Sequence, residues 1–196
     1  MRAVDIGGVA AWVAAIVIGL AFGVASAWGA LEFGRASFAD SVGQWSYSRA
    51  AGSRTADPYT RAIVAREGLL ALNAREAQYF SLTRDASGAP LRESCIYELA
   101  GDDLAARWWS VTLYASDNFL AQNGDHAEAV DSTRLQGPWR VRVAPVRGEA
   151  AYWLSSRAAA RGFVLMLRVY NADDGWRPTD SELPRLATVS CAGDAP

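Results

Sequence analysis

The sequence predicts a single N-terminal transmembrane helix followed by a mainly β, antiparallel sandwich domain, jelly-roll-like, with one or two helices. Three observations lead to this fold class. Residues 6–31 form a long apolar run without a charge. The rest of the chain contains many short segments in which apolar and polar residues alternate. Turn residues separate these segments, as is typical of antiparallel strands packed in two layers.

The apolar run from Ile6 to Leu31 is bounded by Asp5 and Glu32. As a helix it extends roughly 39 Å, at about 1.5 Å per residue, which exceeds the ~30 Å hydrocarbon core of a bilayer. A cleaved signal peptide is the alternative, because Ala25-Ser26-Ala27 fits a signal-peptidase site. The run is long for the apolar region of a signal peptide, and this favours an uncleaved anchor.

The residues around the run predict topology and domain organisation. Arg2 precedes it, and the positive-inside tendency places that end in the cytoplasm. We therefore expect a protein of the bacterial inner membrane with a cytoplasmic N-terminus and a periplasmic C-terminal domain. Residues 1–34 are predicted as the transmembrane anchor, 35–56 as a juxtamembrane linker and 57–196 as the exported domain.

Small residues recur every four positions along the run and include a GxxxG pair; they are Ala11, Ala15, Gly19, Gly23 and Ala27. Such a stripe lets two helix backbones approach closely in lipid, so it predicts a helix-packing face. The alternative is coincidence, since Ala and Gly are abundant here. The predicted partners are the lipid bilayer and either another transmembrane helix or a second copy of the chain. A net charge of −2 gives no footprint for nucleic acid.

The exported part begins with a helix signal and continues with alternating segments. Asp57-Pro58 predicts a helix start, with Asn73 as a possible end. Residues 74–83 and 91–99 read as two strands of a hairpin around a turn at 85–88. We expect further strands over 107–114, 138–143, 151–154 and 163–170. Residues 163–170 are almost wholly apolar, which predicts a strand buried on both faces.

The two cysteines, Cys95 and Cys191, are predicted to form a disulfide. The argument rests on compartment, because exported domains usually oxidise a cysteine pair. Two free thiols are the alternative. The pair lacks the CxxC spacing of a redox or metal site.

Candidate ligand-binding residues lie on two of the predicted strands. Arg168 and Tyr170 project from one face of one strand, and an Arg among apolar residues must be paired or solvated. Arg107, Trp108 and Tyr114 lie on a neighbouring strand. One interpretation is an anion clamp beside aromatic rings. The other is a structural salt bridge inside the sandwich, since buried charges usually pair.

The sequence predicts no catalytic residues, metal site or cofactor. His126 is the only histidine, which excludes multi-His metal sites, and no GxSxG nucleophile motif occurs. A glycosidase-type pair of carboxylates remains an alternative. Its candidates are Glu76, Glu93, Glu98, Asp102, Asp103 and Asp117.

Six segments of the exported part resemble the DUF1214 family in a membrane-tethered form. They are Asp57–Ala62, Glu76–Phe80, Cys95–Tyr97, Trp109–Tyr114, Asn118–Asn123 and Phe163–Tyr170. The resemblance covers about residues 55–190. It implies a jelly-roll-like β-sandwich, often tethered to a membrane or fused to a companion domain of unknown function, without an established reaction. The chain departs from the family pattern at Tyr152-Trp153-Leu154-Ser155, where the family usually has Asn-Trp-Leu-Pro. Because Tyr152 replaces the Asn, no ligand role of that Asn carries over to this chain.

These observations favour a bitopic envelope protein whose exported β-sandwich binds a partner or ligand without catalysis. It is expected to act alone or as an accessory subunit of a membrane complex. The alternative is an envelope hydrolase that acts on saccharide-like material through paired carboxylates.

Overall fold

The computed structural model describes residues 6–33, 40–48, 51–53, 55–66, 72–73, 75–159, 162–173 and 175–192. Within these ranges it contains two helices and ten strands. In chain order they are α1 Ile6–Phe33, β1 Asp40–Val42, β2 Trp45–Tyr47, α2 Pro58–Arg66, β3 Ala77–Leu82, β4 Cys95–Gly101, β5 Ala106–Tyr114, β6 Ala129–Asp131, β7 Trp139–Ala144, β8 Trp153–Ser155, β9 Val164–Ala172 and β10 Arg185–Cys191.

The strands form two sheets, which confirms the predicted sandwich. One has six strands in the order β1-β2-β3-β9-β5-β6, and all its neighbours are antiparallel. The other has four strands in the order β10-β4-β7-β8. In the second sheet β8 runs parallel to β7, and the other pairs are antiparallel.

Helix α1 agrees with the predicted apolar run. It is long and apolar enough to cross a membrane by length and composition, from Gly8 to Glu32. The described side chains from residue 9 to residue 26 are all exposed. An exposed apolar surface of this extent is favourable in lipid and costly in water, so α1 is a membrane anchor or a signal sequence.

Alternating side chains of both sheets fill the core between them. Trp109, Val111 and Leu113 of β5 are 1% exposed or less, as the alternation predicts. Val141 and Val143 of β7 are fully buried from the opposite sheet. Apolar burial of this kind is the main term that stabilises a sandwich.

Strand β9 differs from its prediction. Leu165, Leu167 and Val169 face the core and are fully buried. On the other side Met166 is buried, whereas Arg168 and Tyr170 are only partly buried. The prediction of burial on both faces therefore holds at Met166 and is wrong at Arg168 and Tyr170. The strand is central within its sheet, but no second described sheet covers its outer face.

The hairpin predicted around residues 85–88 is confirmed only next to its turn, where Arg84 and Pro90 form an antiparallel bridge. Asp85 accepts hydrogen bonds from the backbone N–H groups of Ser87 and Ala89, and Gly88 has a φ of +83° that suits glycine. The flanking strands β3 and β4 nevertheless belong to different sheets. The turn leads the chain from one sheet of the sandwich to the other, which we call a sandwich corner. The same turn residues occur in a corner and in a hairpin, so the sequence does not distinguish the two.

The predicted linker over 35–56 contains two strands of the six-stranded sheet. Trp45 of β2 is 1% exposed, and its indole Nε1 donates to the carbonyl of Pro184 at 2.6 Å. Gln44 forms two further hydrogen bonds with the backbone of Leu186. The folded sandwich therefore starts before residue 57. Three-residue strands are too short to show a period in the sequence.

Helix α2 begins where the sequence predicts. The Asp57 carboxylate accepts the backbone N–H groups of Tyr59 and Thr60, which is N-cap geometry. The Thr60 hydroxyl also donates to it and lowers the pKa of Asp57. The helix is described to Arg66, while Asn73, its predicted end, lies outside it. Residues 67–71 between them lie outside the described residues.

Candidate functional site

Four of the five predicted ligand-binding residues meet on the outer face of the six-stranded sheet. The antiparallel register of β5 and β9 pairs Trp108 with Tyr170 and sets Arg168 opposite Ser110. Tyr114 lies further along the same side of β5. We call Trp108, Tyr114, Arg168 and Tyr170 the arginine face.

The guanidinium of Arg168 is held by neutral groups. Its Nη2 donates to the Tyr114 hydroxyl at 2.6 Å, and its Nη1 lies 3.4 Å from the Thr112 hydroxyl. Its Cζ is 5.3 Å from the centre of the Tyr114 ring, which is cation–π distance. Among the described residues no carboxylate forms an ion pair with Arg168. The predicted structural salt bridge is therefore not seen there.

Two aromatic rings lie beside this cation. The Trp108 and Tyr170 ring centres are 5.2 Å apart with a tilt of 50°. Burial raises the pKa of the Tyr170 phenol, so the phenol stays protonated and can donate a hydrogen bond at neutral pH. The face thus combines a cation, a hydrogen-bond donor and ring surface.

Arg107, the fifth predicted residue, does not join the arginine face. It precedes Trp108 on β5, so strand alternation places it on the opposite side of the sheet. It is exposed near the start of the strand.

The structure joins Cys95 and Cys191 in a disulfide, as predicted. Cys95 begins β4 and Cys191 ends β10, and the two are register partners in the four-stranded sheet. The bond fastens the edge strand β10 to its neighbour. A disulfide indicates an oxidising compartment.

The small-residue stripe lies along α1. A Cβ added at Gly19 or Gly23 would meet nothing within 4 Å, so this side of the helix is open in the described part of the chain. The predicted helix-packing role of Ala11, Ala15, Gly19, Gly23 and Ala27 stays a prediction.

A cavity that the sequence analysis missed lies where edge strands β6 and β8 of the two sheets meet. Its volume is about 150 Å³, and we call it the edge cavity. The backbone N–H of Ser155 donates to the carbonyl of Ala127 across this junction. The lining residues are Asp125, His126, Ala127, Ala129, Val130, Arg134, Arg147, Ala151, Tyr152 and Trp153.

Among the described residues that line the cavity, Asp125 is the only carboxylate, and other groups hold it in place. Arg157 donates to both oxygens of Asp125, and the Ser155 hydroxyl donates to Oδ2 at 2.6 Å. These contacts, with Arg157 contributing most, lower the pKa of Asp125. Ser155 itself is fully buried. Asp125 therefore joins its loop to Ser155 and Arg157 and stays ionised.

The cavity was missed because its residues come from four separate segments. The nearest signal is His126, which the sequence places in an ordinary polar loop, and whose φ of +51° is unusual for a residue with a side chain. A second is the segment from Tyr152 to Ser155, where the chain departs from the family pattern. No group of three or more metal-ligating residues occurs among the described residues.

Comparisons with known proteins agree with the fold and give no activity. The family model described as "Protein of unknown function (DUF1214)" matches residues 76–174, just over half of the chain. The VPA0106 protein from Vibrio parahaemolyticus is similar at 21% identity with a TM-score of 0.56, over 69% of this chain and 36% of that one.

An uncharacterised protein from Burkholderia cenocepacia aligns at 19% identity with a TM-score of 0.45, over 58% of this chain and 29% of that one. The chain thus spans about a third of the length of the solved structures it matches. No curated protein matches it.

Proposed function

The chain belongs to the DUF1214 family, and from that premise we propose that it is a membrane-anchored binding protein. Its β-sandwich holds an anionic ligand on the arginine face without catalysing a reaction. The anchor is α1, and the sandwich lies on the periplasmic side of a bacterial inner membrane. Arg2 before α1 and the disulfide in the sandwich support this orientation.

The observation that carries the proposal is the state of Arg168. A partly buried guanidinium usually pairs with a carboxylate, because desolvating a charge is costly. Here its contacts in the described chain are the hydroxyls of Tyr114 and Thr112 and the Tyr114 ring. They orient the cation and leave its charge uncompensated, so an arriving anion gains the full charge-assisted contact.

The aromatic pair supplies the second part of recognition. Trp108 and Tyr170 offer ring surface beside the cation, which suits a ligand with a ring of its own. Trp108 and Tyr114 are six residues apart on β5, so an extended ligand would contact more of the arginine face than a compact one. An anionic oligosaccharide combines these properties.

The hydrolase alternative has no comparable observation in its favour. It requires two carboxylates facing each other across a cleft, roughly 5–10 Å apart. Asp125 is the only carboxylate that lines the edge cavity in the described chain, and it is paired with Arg157. Hydrolysis therefore stays a prediction. Release of reducing sugar from oligosaccharides by the purified chain, abolished by a single Glu→Gln or Asp→Asn change, is the result that would support it.

Binding of hexagalacturonate to the full chain in lipid nanodiscs tests the arginine face, with neutral maltohexaose as the comparison. Arg168→Gln is expected to weaken hexagalacturonate binding about tenfold or more, because one charged contact is lost. Arg107→Gln, a change at an exposed position on the opposite side of the neighbouring strand β5, is the matched control and is expected to leave affinity unchanged. Equal binding of both sugars, or an unaffected Arg168→Gln variant, contradicts the proposal.

We also propose that α1 contacts another transmembrane helix, of a partner or a second copy, through its small residues. The open surface at Gly19 and Gly23 supports this. Gly19→Leu with Gly23→Leu is expected to abolish co-purification or self-association in mild detergent. The control combines Ala21→Leu with Ala25→Leu. These two positions are also four residues apart, but they lie on a side of the helix about 200° away from the two glycines. Unchanged association in the glycine variant would refute the contact.

A further inference from the structure

We propose that the edge cavity binds a carboxylate carried on a single six-membered ring. The cavity is separate from the arginine face, since it shares none of its residues. It lies between β6 and β8, the last strand of each sheet.

Size limits the ligand to one ring. The cavity has a volume of about 150 Å³. An apolar protein cavity of about this volume takes up one benzene molecule.

Charge selects an anion. Arg134 is exposed, and its guanidinium has no ion pair or hydrogen bond within the described chain. Arg147 is held in place, because its Nε and Nη2 donate to the carbonyls of Ala150 and Ala151. Asp125 is already compensated by Arg157. The two cavity arginines therefore present unbalanced positive charge, and guanidinium groups match carboxylate geometry.

Three ring side chains complete the site. The Trp153 indole is fixed by a hydrogen bond of 2.8 Å from its Nε1 to the carbonyl of Ala144. The Tyr152 phenol and the His126 imidazole have no hydrogen-bond partner among the described residues. Rigid aromatic surface beside free polar groups suits a ring, either a sugar or an aromatic one.

Ligand-observed NMR titration of the full chain in detergent distinguishes a sugar acid from an aromatic acid as the ligand. D-glucuronate and benzoate are the anionic probes, and glucose and benzamide are their neutral counterparts. At least one anion is expected to bind about tenfold or more tightly than its neutral counterpart. The preferred anion then identifies the ligand as a sugar acid or an aromatic acid.

Variants assign that binding to the cavity. Arg134→Gln is expected to weaken the preferred anion about tenfold, and Ala151→Phe to abolish its binding by filling the space. Arg140→Gln, which removes an exposed arginine outside the cavity, is the matched control. Arg168→Gln is expected to have no effect, which separates this site from the arginine face. Failure of both anions to bind, or binding unchanged by Arg134→Gln and Ala151→Phe, overturns the proposal.

Discussion

Removing the Cys95–Cys191 disulfide is expected to destabilise the sandwich by about 4–5 kcal/mol. The two cysteines are 96 residues apart in the sequence. In the chain-entropy model a loop of this length lowers the entropy of the unfolded chain by an amount worth about 4.7 kcal/mol at 25 °C. A domain of this size is typically stable by about 5–15 kcal/mol, so the bond represents a large share.

The position of the bond gives a local effect as well. It joins the first residue of β4 to the last residue of β10, and β10 is an edge strand with one neighbour. Leu186 of β10 is 3% exposed and belongs to the core. Without the bond, β10 is expected to open more often than the central strands, which hydrogen exchange of its amides would detect.

Urea unfolding of the full chain in detergent, followed by tryptophan fluorescence, measures the global effect. The variant combines Cys95→Ala with Cys191→Ala. Cys95 is buried, so the variant also loses packing, and reduced wild-type protein is the reference that contains the thiols without the bond. The difference between oxidised and reduced wild type isolates the crosslink. A difference below about 1 kcal/mol would refute the loop-entropy reasoning.

Three further changes test the core and the turn by urea unfolding. Leu99→Ala, at a fully buried position, is expected to cost about 2–5 kcal/mol, against less than about 0.5 kcal/mol for Val189→Ala at an exposed one. Gly101→Ala is expected to cost about 1–3 kcal/mol, because the new Cβ would lie 2.5 Å from an indole carbon. The Ser87 hydroxyl lowers the pKa of Asp85 below 3.8 in the folded state, so stability is expected to fall as pH drops below that value. Asp85→Asn is expected to flatten that part of the pH profile.

The sequence predicts best where one residue's neighbours along the chain decide its environment. The alternation of Trp109, Val111 and Leu113 fixes which side of β5 is buried, and the structure agrees. Asp57 likewise caps α2 through residues two and three positions later. Both features depend on residues that are close together in the chain, so an alternation pattern or a cap motif in the sequence predicts them.

Pairing between distant strands is not contained in such patterns. The corner at 85–88 has the same turn chemistry as a hairpin, and only the partners of β3 and β4 distinguish the two. Trp45 is buried because it reaches the carbonyl of Pro184, 139 residues away. The edge cavity has the same origin, since Arg134 and Tyr152 meet only when β6 and β8 become neighbours.

The arginine face and the edge cavity explain why a net charge of −2 does not exclude anion binding. Net charge sums every group, whereas a ligand responds to the charges left uncompensated where it binds. Arg168 is held by hydroxyls, and Asp125 is compensated by Arg157 while Arg134 stays unpaired among the described residues. Both places are locally positive on an acidic protein. Binding at each is therefore expected to weaken with added salt only modestly, because one or two charges are involved.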